Sequence, residues 1–247
     1  MHRTAPITTL RLSDIDVPHE FAVHYLRQIL QWPQALESFS FLDNTVPSLN
    51  FRHNDWDLDT FMNALEPHRP FLRHLELEPA IRAPQGSSEA LSHFISFPHL
   101  ETLTLDAKYL SDVDPWTAAK KLLGSNLHTF GYRVSATETK IRWDTPRDSW
   151  GGASDVTYSI TESCAHLVQK DSDWLHGLSN WIYDHTQKCS VRTIEVRLDP
   201  VDELGRGRIA SKEAQRALQA MKGPFSEKGL RLVYRDIVEE KKLDLRL

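Results

Sequence analysis

One short phrase, apolar at the positions L-x-x-L-x-L, returns along the chain and constrains its fold more than any other feature. It reads Ile7-Thr8-Thr9-Leu10-Arg11-Leu12, then Leu36-Glu37-Ser38-Phe39-Ser40-Phe41, then Leu72-Arg73-His74-Leu75-Glu76-Leu77. Leu100-Glu101-Thr102-Leu103-Thr104-Leu105 and Leu127-His128-Thr129-Phe130-Gly131-Tyr132 follow. A later copy is Val191-Arg192-Thr193-Ile194-Glu195-Val196, and Leu230-Arg231-Leu232-Val233-Tyr234 is a degenerate last one. The central residues Leu10, Phe39, Leu75, Leu103 and Phe130 stand 27 to 36 positions apart, and the gap from Phe130 to Ile194 spans two such units. A period near 30 means one supersecondary unit per repeat. The period-two alternation inside each phrase is that of a strand with one buried face.

The segments between phrases carry helical spacing. Leu58, Phe61, Met62 and Leu65 fall at i, i+3, i+4 and i+7, one helical face. Phe21, Tyr25, Ile29 and Leu30 do much the same, behind Asp16 as N-cap and Pro18 in the first turn. Ser88 is placed to cap a helix carrying Leu91, Phe94 and Ile95. Asp114-Pro115 opens one with Trp116, Ala119, Leu122 and Leu123. Ser172 caps Trp174, Leu175, Leu178 and Ile182, and Ser211 caps Ala214, Ala217, Leu218 and Met221.

Short strands alternating with helices demand a parallel sheet with crossover helices. A compact doubly wound sheet and a solenoid both meet that demand. A doubly wound sheet, buried on both faces, has near-continuous apolar strands. Here the strands alternate and the same phrase recurs, as stacked units facing the same packing problem would require. The expected fold is α/β: an irregular solenoid with parallel strands on one face and helices on the other, one domain over 1–247. Residues 133–171 break the rhythm. Ile141/Trp143 and Val156/Tyr158/Ile160 flank a stretch with Gly151-Gly152, which reads as an insertion, either a projecting hairpin, one distorted repeat or a disordered loop.

Phrase, helix and period together resemble the leucine-rich repeat, of an irregular kind. The asparagine that usually follows the phrase occurs once, as Asn44; its equivalents are Ile15, Ala80, Lys108, Ser135 and Asp199. Leu127–Tyr132, the helix opening at Ser172-Asp173-Trp174-Leu175, Val191–Pro200 and Lys228–Tyr234 together resemble the C-terminal repeat region of fungal F-box-like proteins. The resemblance implies a protein-recognition module, the substrate-binding part of a ubiquitin-ligase adaptor. Such proteins often carry an F-box ahead of the repeats, which docks a Skp-type adaptor. The first phrase here starts at Ile7, so that partner is expected only if an F-box is supplied upstream.

Composition narrows the partners. The 29 Lys+Arg against 34 Asp+Glu give a net charge of −5, the wrong sign for a protein that lives on phosphate backbones, so no nucleic acid is expected. No apolar run reaches the roughly 18–20 residues of a membrane span, and the N-terminus lacks the apolar core of a secretory signal. Two cysteines, Cys164 and Cys189, form no CxxC pair and suit a reducing compartment. An intracellular protein, cytoplasmic or nuclear, is expected.

Catalytic motifs were sought. His19 and His24 lie at i and i+5 rather than the i and i+4 of a zinc protease. His53, His68, His74 and His128 make no ligand-spaced pair and read as surface histidines. Cys164 and His166 have no third group placed beside them by sequence. GxSxG, GxxxxGK[ST] and GxGxxG are absent, and Gly205-Arg206-Gly207-Arg208 reads as a loop. No catalytic residue, metal or cofactor is therefore expected.

The chemistry left is that of a polar strand face. Between the buried apolar positions, Arg11, His74, Glu76, Glu78, Asp106, Arg133, Glu195 and Arg197 point outward. The middle is acidic and the C-terminal strands are basic, a charge pattern suited to orienting a protein partner. The same residues also suit an ordinary solvated face. A non-catalytic protein–protein interaction module is the expected function. The alternatives are a hydrolase of an unrecognised kind and a truncated remnant without a partner of its own.

Overall fold

Each copy of the phrase becomes a strand. A computed structural model of the chain describes residues 5–13, 22–42, 58–77, 89–134 apart from 111 and 125, 160–198 and 207–236. The strands are β1 (Thr9–Ser13), β2 (Ser38–Leu42), β3 (His74–Leu77), β4 (Thr102–Asp106), β5 (Thr129–Val134), β6 (Thr193–Leu198) and β7 (Arg231–Asp236). They form one open sheet in the order β1 to β7, every neighbouring pair parallel. A doubly wound sheet reverses its strand order at a switch point. This order contains no reversal.

The register makes the repeat visible in space. Leu10, Phe39, Leu75, Leu103, Phe130, Ile194 and Leu232 lie side by side across the sheet, and Leu12, Phe41, Leu77, Leu105, Tyr132, Val196 and Tyr234 form the parallel row. The first apolar position of the inner phrases, at Leu36, Leu72, Leu100, Leu127 and Val191, is buried ahead of the strand. The backbone repeats as faithfully. The carbonyl of Thr8 accepts from the N–H groups of both Glu37 and Ser38, at 2.8 and 2.9 Å. Glu37, Arg73, Glu101 and His128 carbonyls each receive the same forked pair from the next unit. An identical hydrogen-bonding step at five successive positions is what an identical apolar spacing selects, because a one-residue slip would turn the apolar rows outward.

The helical elements are α1 (Ala22–Leu30), α2 (Leu58–Leu65), a 3-10 helix over Ala90–Ser96, α3 (Pro115–Leu122), α4 (Ile160–Asp184) and α5 (Gly207–Glu227). Each packs on the next in chain order, as crossovers between sequential parallel strands of one sheet require. Their apolar sides meet the apolar rows of the sheet. Phe61 of α2 packs between Phe39 and Phe41, at ring distances of 5.7 and 5.5 Å. Trp174 of α4 stacks on Tyr132 at 5.2 Å, while its Nε1–H donates to the Val113 carbonyl at 2.9 Å. The Tyr132 hydroxyl donates to Asp171 at 2.6 Å inside the same layer. Gly177 lets α4 close on α3, since a Cβ there would stand 2.5 Å from the Pro115 ring.

Helix by helix, the expected faces are partly met. Leu58, Phe61, Met62 and Leu65 are all buried. Asp114 caps α3, its carboxylate accepting from the N–H groups of Trp116 and Thr117 at 3.1 and 2.9 Å, and these bonds hold its carboxyl below the usual range, the Thr117 side chain contributing most. Tyr25, Ile95 and Trp116, expected inside, are exposed. They sit at the margins of narrow stripes, and Leu26, Leu91 and Ala118 take the inner places. Ser172 and Ser211 do not start helices: α4 begins at Ile160 and α5 at Gly207, so both serines lie inside. The expected 133–171 insertion contracts accordingly, because β5 runs to Val134 and residues 160–171 belong to α4. Asp16, Pro18, Phe21, Ser88 and the Ile141/Trp143 and Val156/Tyr158 runs lie outside the described residues. No helix among the described residues is long and apolar enough to cross a membrane.

Candidate interaction surface on the strand face

The polar face of the sheet carries three rows, set by the same register as the core. Nearest the strand starts run Thr9, Ser38, His74, Thr102, Thr129, Thr193 and Arg231. The middle row is Arg11, Ser40, Glu76, Thr104, Gly131, Glu195 and Val233. Towards the strand ends stand Leu42 on β2, Asp106 on β4 and, side by side, Arg133 and Arg197.

This face is graded from open to closed. Thr9, Arg11, His74 and Arg231 are exposed, and Ser38, Thr102, Thr129 and Thr193 are half-buried. The other end departs from the sequence reading. Asp106, Arg133 and Glu195, expected to point into solvent, are only 1%, 4% and 6% exposed. Alternation assigns a side chain to a face but does not say how deep that face lies. Glu78 is outside the described residues.

The expected acidic and basic patches also fail to stay apart. Arg197 on β6 donates through a terminal nitrogen to Glu76 on β3, and through Nε to Glu195 at 2.6 Å. Arg133 approaches Glu76 at 3.9 Å, and the Ser40 hydroxyl donates to it at 3.2 Å. Three strand spacings, roughly 14 Å at about 4.8 Å each, separate β3 from β6. The arginine and glutamate side chains together bridge that distance over small side chains. Gly131 lies on their path, and Thr104 next to it is pressed so close that a Cβ on Gly131 would stand 2.8 Å from the Thr104 Cβ. Glycine inside a strand pattern marks such a close approach, and this was the sequence signal available for it.

Burying charges is costly unless each is paired and hydrogen-bonded, and here two arginines and two glutamates face one another. The strand-start row is the more open part of the polar face. That row offers hydroxyls on five strands, one imidazole and one guanidinium, with Glu37, Arg73, Glu101, His128 and Arg192 just before the strands. Arg73 and Glu101 bridge neighbouring units at 3.0 Å.

No family model, curated protein or solved structure matches the chain. What the chain does has to be read from its own geometry.

The remaining chemistry-bearing groups lie elsewhere. His68, read from sequence as a surface histidine, is completely buried, with Nε2 2.6 Å from the Leu30 carbonyl, where it ties the end of α1 to the turn after α2. Cys189 is buried ahead of β6, and that burial pushes its thiol up. Cys164 and His166 fall in the first turns of α4. Among the described residues, no three His, Cys, Asp or Glu side chains stand where they could hold a metal ion. A groove between the 3-10 helix and α3 is lined by Phe94, Ile95, Phe97, Pro98, Leu100, Leu122, Gly124, Asn126 and Leu127, none of which titrates.

Proposed function

We propose that this chain is a non-catalytic recognition module, an irregular leucine-rich-repeat-like solenoid that holds a protein partner on the open part of its strand face. The graded face carries this reading. A row of hydroxyl side chains on five of the seven strands, completed by His74 and Arg231 and flanked by Arg11, repeats at one strand spacing and is backed by an ion-pair network. A repeated row of donors and acceptors suits an extended surface better than a small molecule.

The partner class follows from charge and from the sequence resemblance. A net charge of −5 speaks against nucleic acid. The resemblance to the repeat region of F-box-like proteins points to a ubiquitylation substrate as partner, inside the cell. A Skp-type adaptor belongs to this reading only where an F-box stands upstream.

The test is affinity capture from the cells of origin with the wild-type chain and with His74→Glu plus Arg231→Glu. Both positions are exposed, so the variant keeps the fold. Loss of a protein that the wild type retains supports the strand-start row. Equal recovery by both chains moves the partner elsewhere.

A further inference from the structure

The two ends of the sheet are finished differently. At the β7 end, Leu230, Leu232 and Phe225 are buried. At the β1 end the core stops short. Ile7 is 38% exposed, whereas the equivalent residues of the inner units, Leu36, Leu72, Leu100, Leu127 and Val191, are at most 3% exposed. Leu10 and Leu12 are half-buried, whereas the inner members of their rows are buried. Trp32 is 50% exposed, and its carbonyl accepts from the Ala5 N–H at 3.2 Å, which sets it beside the start of the same edge. Ile29, one turn earlier, is half-buried. Among the described residues β1 pairs with β2 alone. The other large exposed apolar residues of the later units, Phe71, Ile95, Trp116 and Tyr183, are spread over separate elements. Isolated exposed residues of that kind are ordinary, but an apolar strand edge at the end of a repeat array is not.

We infer that the β1 flank is a dimer interface, covered by the same flank of a second copy about a two-fold axis. A strand edge that no described residue pairs with fits another strand as its occupant, because its N–H and C=O groups need a ladder. The sequence of β1 supplies that strand. Thr9-Leu10-Arg11-Leu12-Ser13 alternates polar and apolar symmetrically, so an antiparallel copy presents leucines to the core side and polar residues to the other. Pairing centred on Leu10 sets Leu10 against its counterpart and Thr9 against Arg11. A register centred on Arg11 would oppose two like charges and is disfavoured. The axis stands perpendicular to the sheet, so α1 meets α1 on the helical side and Trp32 and Ile7 are covered together. A head-to-tail arrangement on β7 is a poorer match, since at that flank Leu230 and Leu232 are buried and of its core-row residues only Tyr234 is half-buried. A closed two-fold contact is also the commonest symmetry for such patches. The strand-start row remains open to the partner proposed above, and the two inferences fail independently.

Sedimentation equilibrium of the full chain over a wide concentration range reads the result. The expected species is twice the mass of the 247-residue chain. Ile7→Glu and Trp32→Glu should each weaken association about 30-fold or more, as for central apolar anchors. Trp116→Glu, on the helical side, should leave it unchanged. Far-UV circular dichroism confirms that each variant is folded. Deuterium exchange of the wild type adds a readout free of substitutions, with β1 amides becoming more protected as concentration rises. A single-chain mass at every concentration, a dimer indifferent to both flank substitutions, or longer head-to-tail species would overturn the assignment.

Discussion

Arg197 and Glu76 stand 121 positions apart in sequence and form an ion pair across three strand spacings of the same sheet. The backbone ladder of this sheet passes only from strand to neighbouring strand. The ion pair skips two strands, and it does so over Gly131. The pair couples units that a linear stack would leave independent.

A double-mutant cycle measures that coupling. Arg197→Met leaves Glu76 with the more distant Arg133 and the Ser40 hydroxyl, Glu76→Leu leaves Arg197 with Glu195, and each should destabilise by about 1–3 kcal/mol. The double variant should cost less than the sum, with a coupling energy of about 1–3 kcal/mol. Urea unfolding of the four proteins reads this directly, and strict additivity would show that the pair is idle. The same network explains why charge reversal at Glu76 is a poor probe of partner binding: it would perturb folding and recognition together.

Two glycines give predictions of different size. Gly131→Ala drives a methyl group into Thr104 and should destabilise by about 1–3 kcal/mol. Gly223→Ala on α5 meets no non-neighbouring atom within 4 Å, but the Pro224 ring that follows disfavours a helical residue with a Cβ, which offsets the better helix propensity of alanine and leaves a change within about 0.5 kcal/mol. Thermal melts should fall clearly for Gly131→Ala and stay nearly unchanged for Gly223→Ala.

Asp114 links a local bond to pH. Asp114→Ala should cost about 1 kcal/mol, whereas Asp114→Asn, which caps as well, should cost far less. The folded carboxyl titrates below its ordinary value of 3.8. Its contribution is therefore complete above that value and fades as pH falls through the lower, folded one. Acid titration of wild type and Asp114→Asn, followed by circular dichroism, should show this extra acid sensitivity only in the wild type.

Much of this architecture was legible in the sequence because one physical constraint repeats. The apolar spacing that marked Leu10, Phe39, Leu75, Leu103, Phe130 and Ile194 as equivalent is the spacing that the ladder enforces, and the register aligns those residues. Helix starts were less legible. Ser172 and Ser211 are good caps in isolation, yet the chain before each continues in helix, and local capping preference yields to that continuation. Depth was the least legible property. Arg133, Asp106 and Glu195 alternate correctly onto the polar face and are nonetheless buried; Arg133 lies 3.9 Å from Glu76, 57 positions upstream, and Glu195 accepts from Arg197 on its own strand. His68 was misread as well, its carbonyl partner Leu30 lying 38 positions upstream.

Cys189 provides a probe of local opening. Buried and with its thiol pushed up, it should resist thiol reagents at mildly alkaline pH while the chain is folded and react promptly in denaturant. In a Cys164→Ser background, the labelling rate reports opening of the segment ahead of β6. Rapid labelling of the folded protein would contradict the packing described for that segment.

Site-specific photo-cross-linking tests the central claim most directly. A photoreactive residue at Thr102, in the middle of the strand-start row, and one at Lys120, exposed on α3, would be activated in living cells. The account predicts a discrete protein adduct from position 102 that is lost when His74→Glu and Arg231→Glu are added, and none from position 120. The same adduct from position 120, or an adduct at 102 indifferent to those substitutions, would contradict recognition on the strand face.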